Sequence, residues 1–349
     1  MKISLITYYY SCNHGAVMQT YALCRYLKEL GHDVELVDLR QNESYGGSIL
    51  VRLIKPIIFN YRISRIKKMY YPKTSKRYFS VHDLKEDPPV ADCYMVGSDQ
   101  VWNPNISKDL QLAYFLDYGN EAIPRISYAS SFGLEKWPGG VNTDKIATLL
   151  ARFNSLSTRE IHGKNICKET FKLDADVVLD PTFLNFSYEE FNYGVKQTDD
   201  FVCYKLNRTA DFWENVRSVG NIIGSKPLLL NYNYPKKGFK YCFPPSLRTW
   251  MRKFAGAKFI LTDSFHGIAF SIINRKQFVA ILNDDGKNSR LLNLMESFGF
   301  SNRIYPSVAE MLKDDAWKEP IDYNSIEGDI RKKIEESRNF IKRSLISYE

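Results

Sequence analysis

The stretch "KISLITYYYSCNHGAVMQTYALCRYLKELGHDVELVDL", residues 2–39, decides the fold. Its apolar run at 2–7 has the length of a buried strand. From about Ala16 to Leu30 apolar residues recur at helical spacing. Gly31 then closes the pattern, because glycine adopts the left-handed conformation that ends a helix. A second apolar run, "DVELVDL", follows at once. Strand, helix and strand in this order form one βαβ unit with parallel strands.

The same alternation continues outward. Strand candidates in the first half are "DCYMVGS" (92–98), "RISYASS" (125–131), "SLSTR" (155–159) and "DVVLD" (176–180). The second half restarts with "FVCYKL", a helix near 211–219, "PLLLNY", a helix near 246–254, "KFILT", a helix after His266, "QFVAIL" and a helix around 290–298. Between the halves, "NYGVKQTDD" (192–200) is polar and aperiodic. At 349 residues the chain exceeds what one hydrophobic core usually serves. The expected fold is α/β: two doubly wound, Rossmann-like domains facing a cleft, over 1–191 and 201–324. Residues 192–200 form the linker, and a terminal helix over 325–349 packs back on the first domain.

Apolar content of 44% and charged content of 25% are ordinary for a globular protein. The net charge of +8 points to an anionic partner. It concentrates in residues 51–80, where Arg52, Lys55, Arg62, Arg65, Lys67, Lys68, Lys73, Lys76 and Arg77 interleave with apolar and aromatic residues and no acid intervenes. Two readings stand: a segment that meets anionic headgroups at a membrane surface, or an amphipathic helix packed on its own domain. Nucleic acid is set aside because no recognised module accompanies the charge.

The six cysteines form no CxxC pair and do not cluster with histidine. They read as reduced, buried thiols in a cytoplasmic protein, with no zinc site. No run reaches the roughly 20 apolar residues of a membrane span. The first strand lacks the cleavage pattern of a signal peptide. A soluble, cytoplasmic chain with a peripheral contact at the inner membrane face is the expectation.

In open α/β sheets ligands collect at the carboxyl ends of strands, where loops enter helices. In "KFILTDSFHGIAFSIIN" (258–274), Thr262 ends a strand and Ser264 stands at the cap of the next helix. His266 and Gly267 lie in its first turn, where free N–H groups and the helix dipole favour an anion. Equally, Asp263 and Ser264 serve as caps and His266 as a core residue.

Arg159, after "SLST", offers a planar fork for a carboxylate or phosphate, or pairs with Glu160. In "VGSDQVWNP", Ser98, Asp99 and Trp102 suit a sugar ring, with polar groups for hydroxyls and an indole for the C–H face. An Asx-type turn with a core tryptophan is the alternative. Asn13, in "NHGAVMQTYAL", stands between the first strand and its helix as a further substrate contact. Lys287 and Arg290, in "NDDGKNSR", either reach an anion held at 264–267 or belong to a solvated turn. Dinucleotide, P-loop, metalloprotease, EF-hand and α/β-hydrolase signatures are all missing.

Taken in order, "NHGAVMQTYAL", "VGSDQVWNP", "YASSFG", "SLSTRE", "VLDPTFL" and "TDSFHGIAFSIIN" resemble the polysaccharide pyruvyl transferase family. The resemblance implies a fold similar to GT-B glycosyltransferases. It implies transfer of the enolpyruvyl unit of phosphoenolpyruvate to two hydroxyls of one sugar, with phosphate released. No cofactor or metal is implied, since phosphoenolpyruvate is a co-substrate. The acceptor is a polysaccharide, exopolysaccharide or capsule precursor, read here as lipid-linked.

By the same resemblance Arg159 matches the donor-binding arginine, His266 the histidine of the "SFHG" stretch, Ser264 another donor contact and Lys287 a downstream basic contact. Asp99 is the candidate base for the sugar hydroxyl. Two departures stand out: Gln277 follows Lys276 where proline is usual, and His14 replaces a customary tyrosine or phenylalanine. A GT-B glycosyltransferase using a nucleotide sugar is the alternative reading, and a non-catalytic binding protein the third.

Overall fold

A computed structural model describes residues 1–9, 13–40, 73–140, 142–206, 212–230, 237–242, 245–283 and 288–346. The chain divides into two compact units, Met1–Asn185 with Lys332–Glu349, and Phe186–Arg331. Most of the basic segment, residues 51–72, lies outside the described residues.

The first unit opens with β1 (Lys2–Ile6), α1 (His14–Glu29) and β2 (Asp33–Leu39). Gly31 stands after α1 at φ +90°, as its place at the helix end requires. Next come β3 (Lys73–Tyr78), α2 (Val81–Glu86), β4 (Cys93–Val96) and β5 (Arg125–Ser127). After them lie α3 (Thr143–Leu150), β6 (Ser157–Thr158), α4 (Ile161–Glu169) and β7 (Asp176–Val177). Five strands make one parallel sheet in the order β3-β2-β1-β4-β5, while β6 and β7 pair separately. Single bridges at Ser130–Thr158 and Asp99–Ser130 continue the pairing beyond the strand ends. Central β1 and β4 are buried on both faces, as parallel strands under crossover helices must be.

Strand β3 carries the last basic residues of the 51–80 stretch. Lys76 pairs with Asp87 at 3.0 Å and Arg77 lies 3.6 Å from Asp38. Among the described residues it is an edge strand, and charge on an edge deters pairing with other chains. Sequence periodicity missed it because "KTSKRY" has no apolar face to alternate.

The second unit holds β8 (Phe201–Tyr204), α5 (Phe212–Ile223), β9 (Pro227–Leu230), β10 (Lys240–Cys242) and α6 (Leu247–Gly256). It continues with β11 (Phe259–Thr262), α7 (Phe265–Ile273), β12 (Gln277–Ile281), α8 (Ser289–Ser297) and β13 (Ile304–Tyr305). Its sheet is parallel throughout, in the order β10-β9-β8-β11-β12-β13. Helix α9 (Tyr323–Ile346) ends the described chain, and from Lys332 onward it belongs to the first unit.

Residues 192–200 are part of the second unit. Thr198 donates its backbone N–H to Gly256 O at 2.8 Å, and Gln197 Nε2 reaches Ala255 O at 3.3 Å. The polarity of this stretch therefore satisfies the otherwise orphaned carbonyls at the end of α6.

Candidate active site

Each sheet reverses its winding at one place: between β1 and β4 in the first unit, and between β8 and β11 in the second. Loops leaving such a pair diverge, which opens a crevice at the carboxyl ends of the strands. Asp99 follows β4, and Ser264 and His266 follow β11, so the sequence candidates fall at these two switch points.

In the first unit the turn after β4 is fixed by several bonds. Thr7 Oγ1 donates to Ser98 O at 2.8 Å, and Ser130 Oγ to Gly97 O at 3.2 Å. Asp99 O accepts the N–H groups of Val101 at 2.8 Å and Ser131 at 3.0 Å. These bonds hold Asp99 at φ +82°, a conformation that costs a non-glycine residue about 1–3 kcal/mol and that clusters at functional sites. Its Oδ1 accepts Gln100 N–H at 2.8 Å. The side chain stays 18% exposed, the open carboxylate of its group.

Arg159 follows β6, with its side chain only 1% exposed. Its Nη1 donates to Asp180 Oδ2 at 2.8 Å and to Ser98 Oγ at 3.4 Å. Asp99 and Glu160 carboxylates each lie 3.9 Å from other guanidinium nitrogens. Burial pushes the guanidinium pKa down, but Asp180, Asp99 and Glu160 outweigh it and raise the value above the ordinary one. The geometry corrects two expectations. Asp180, rather than Glu160, is the principal partner, and the guanidinium is an enclosed ion pair rather than an open fork.

Trp102 is fully buried. Its ring stacks on Phe115 at 5.4 Å between centroids, and Nε1 donates to Tyr114 O at 2.9 Å. It is a core residue, so the sugar-stacking reading is withdrawn. Ser98 is likewise buried and donates its hydroxyl to Asp180 at 3.0 Å, which leaves it supporting the turn rather than touching substrate. Asn13 is exposed at the N-cap of α1, accepting Gly15 N–H at 2.9 Å.

In the second unit Ser264 caps α7, its Oγ accepting Gly267 N–H at 3.4 Å. His266 is 7% exposed in the first turn, its ring perpendicular to that of Phe265. Gly267 answers a packing need: a Cβ there would stand 2.2 Å from Thr262 Oγ1. That hydroxyl is occupied, donating to Tyr204 O at 2.7 Å and accepting Ser264 N–H at 3.1 Å. Close approach of an anion is therefore not what requires the glycine.

Asp263 is no cap. Its buried carboxylate accepts Leu206 N–H at 2.7 Å and lies 3.3 Å from Lys205 Nζ, tying the end of β8 to the end of β11. Arg290 sits half-buried at the start of α8, and Lys287 lies outside the described residues.

Sequence reasoning missed Asp180 and Lys205. Asp180 stood inside the quoted "VLDPTFL", and its position before a proline marks a cap. Its Oδ1 accepts both the N–H and the hydroxyl of Thr182, at 3.0 and 2.8 Å. Lys205 ends the apolar run "FVCYK" at a switch point, a cation where periodicity calls for a buried residue. Among the described residues no group of three or more His, Cys, Asp or Glu could hold a metal ion. The five described cysteines are thiols, four of them buried.

Solved structures with the same fold include UDP-GlcNAc 2-epimerases. That from Neisseria meningitidis, bound to UDP-GlcNAc, superposes with a TM-score of 0.55 at 11% identity, covering 99% of this chain and 100% of its own. The enzyme from Rickettsia bellii gives 0.56 at 11% identity, over 100% and 96%. At such identity the likeness establishes a GT-B-like α/β fold alone. Among curated proteins, none matches in sequence. The family model for polysaccharide pyruvyl transferase matches residues 13–285, which include α1, the 97–99 turn, Arg159, Asp180 and the start of α7. The chain belongs to the polysaccharide pyruvyl transferase family.

Proposed function

We propose that the protein transfers the enolpyruvyl group of phosphoenolpyruvate to two hydroxyls of one acceptor sugar. The first hydroxyl adds to C2 as a proton reaches the methylene carbon; the second displaces phosphate and closes the pyruvate ketal. The observation that carries this reading is the β11–α7 junction at a switch point. There a capped helix start and the His266 imidazole gather favourable partners for a phosphate.

Ser264 and the first turn of α7 hold the phosphate, and Lys287, outside the described residues, is the further basic contact that the resemblance assigns. His266 contacts the phosphate and eases its departure. Within the first unit, taken by itself, Asp99, the open carboxylate beside Arg159, is the base for the sugar hydroxyl. Arg159, which the resemblance matches to the donor-binding arginine, shares its positive charge with Asp180.

Phosphoenolpyruvate should raise the melting temperature where UDP does not. His266→Ala should fold and melt normally yet lose on the order of 100-fold or more in phosphate release, the worth of one preorganised donor to developing charge. Normal turnover in that variant removes His266 from the mechanism. Stabilisation by UDP and not phosphoenolpyruvate would favour a nucleotide-sugar glycosyltransferase, since the Neisseria meningitidis neighbour binds such a ligand.

A lipid-linked acceptor at the cytoplasmic membrane face completes the reading, with residues 51–80 as the contact. Binding to phosphatidylserine vesicles should be present at 50 mM salt and fall steeply by 500 mM. No binding at the lower salt refutes the membrane contact.

A further inference from the structure

The turn bearing Asp99 and the guanidinium of Arg159 share one anchor. Asp180 is 1% exposed and uses both carboxylate oxygens fully: Oδ2 receives Arg159 Nη1 and Ser98 Oγ, and Oδ1 receives the N–H and hydroxyl of Thr182. Ser98 immediately precedes Asp99, whose strained backbone persists only while its surroundings over-determine it. Arg159 in turn stands 3.9 Å from Asp99.

We propose that Asp180 is a positioning residue of the transfer reaction, a buried post that fixes the Ser98–Asp99 turn and keeps Arg159 from closing on the Asp99 carboxylate. This rests on the reading of Asp99 as the base. The charge balance gives the reason. Arg159 is surrounded by Asp180, Asp99 and Glu160, and the best-bonded of the three determines where the guanidinium points. With Asp180 in place, Asp99 stays at ion-pair range without a direct bond. Without it, the buried cation must compensate on Asp99 or Glu160, because an unpaired buried charge is strongly unfavourable.

Asp180→Asn tests this directly. An amide accepts at one oxygen only, so its NH2 group faces two donors. We expect kcat at saturating phosphoenolpyruvate to fall roughly 100-fold, as for a misplaced reacting group, with the stabilisation by phosphoenolpyruvate weakened as Arg159 moves. Asp99→Asn with Asp180→Asn should be no slower than Asp99→Asn alone, because the second residue acts through the first. Ser98→Ala, which removes one hydroxyl, should show a smaller fall of the same kind and covers the case in which Asp180→Asn does not fold.

Additive losses in the double variant, unchanged kcat in Asp180→Asn, or, where that variant does not fold, unchanged kcat in Ser98→Ala, overturn the proposal. A crystal structure of Asp180→Asn, or of Ser98→Ala, separates this from the assignment of the reaction. If the wild-type protein releases no phosphate from phosphoenolpyruvate, the proposed function fails. The post is then judged by the coordinates alone: Arg159 and Asp99 displaced upholds it, both unmoved refutes it.

Discussion

Lys276 shows how a single residue ties pH to stability. It is buried, its Nζ donates to Gln197 Oε1 at 2.6 Å, and burial pushes its pKa from 10.5 down to about 8. The folded state therefore releases this proton earlier than the unfolded state does. Between about pH 8 and 10.5 the unfolded chain binds more protons, so the contribution to stability rises with pH. The full gain is about 3 kcal/mol, reached above the unfolded pKa. Urea unfolding of wild type and Lys276→Gln across this window should show the wild type gaining on the variant as pH rises. Parallel curves would show that the lysine does not titrate as argued.

At the scale of elements, two strand-to-helix junctions are built alike. "TREIHG" (158–163) leads from β6 into α4, and "TDSFHG" (262–267) from β11 into α7. Both place threonine, histidine and glycine at the same spacing. In both, the glycine sits against the threonine: a Cβ would stand 2.9 Å from Thr158 Cβ at Gly163, and 2.2 Å from Thr262 Oγ1 at Gly267. Gly267→Ala should cost roughly 1–3 kcal/mol, the usual penalty for overpacking. Gly163→Ala should cost less, because its closest contact is longer. Thermal unfolding of the two variants checks the order; two neutral substitutions would contradict it. This echo went unnoticed in the sequence because six residues with three matches look accidental until both are seen to perform the same steric task.

For the whole molecule, the terminal helix decides whether the first unit is complete. Ile334, Phe340, Ile341 and Leu345 of α9 are buried. Ser337 Oγ accepts Leu179 N–H at 3.0 Å, Arg338 Nε donates to Leu184 O at 3.0 Å, and Arg343 pairs with Asp176 at 2.6 Å. Each buried apolar side chain contributes about 1.5–3 kcal/mol, so their sum is comparable to the net stability of a domain. A chain ending at Arg331 should lose amide protection throughout residues 1–185 in hydrogen exchange, while β8, β11 and β12 keep theirs. Retained protection of β1 and β4 would show that the unit stands without α9.

The sequence by itself determined the parallel α/β class, the first βαβ unit, the bounds of most central strands and the family. These depend on local signals: apolar periodicity, glycine at a helix end, and the order of short motifs along the chain. Tertiary structure alone decided what the polar groups do. Trp102 became core, Arg159 an enclosed pair of Asp180, and residues 192–200 a cap for α6. Edge strands such as β3 also escaped the pattern, since they are defined by a neighbour rather than by a buried face. The physical reason is common to all of these. Periodicity reports which side of an element leaves water, whereas the partner of a charge is chosen by residues brought close only when the chain folds.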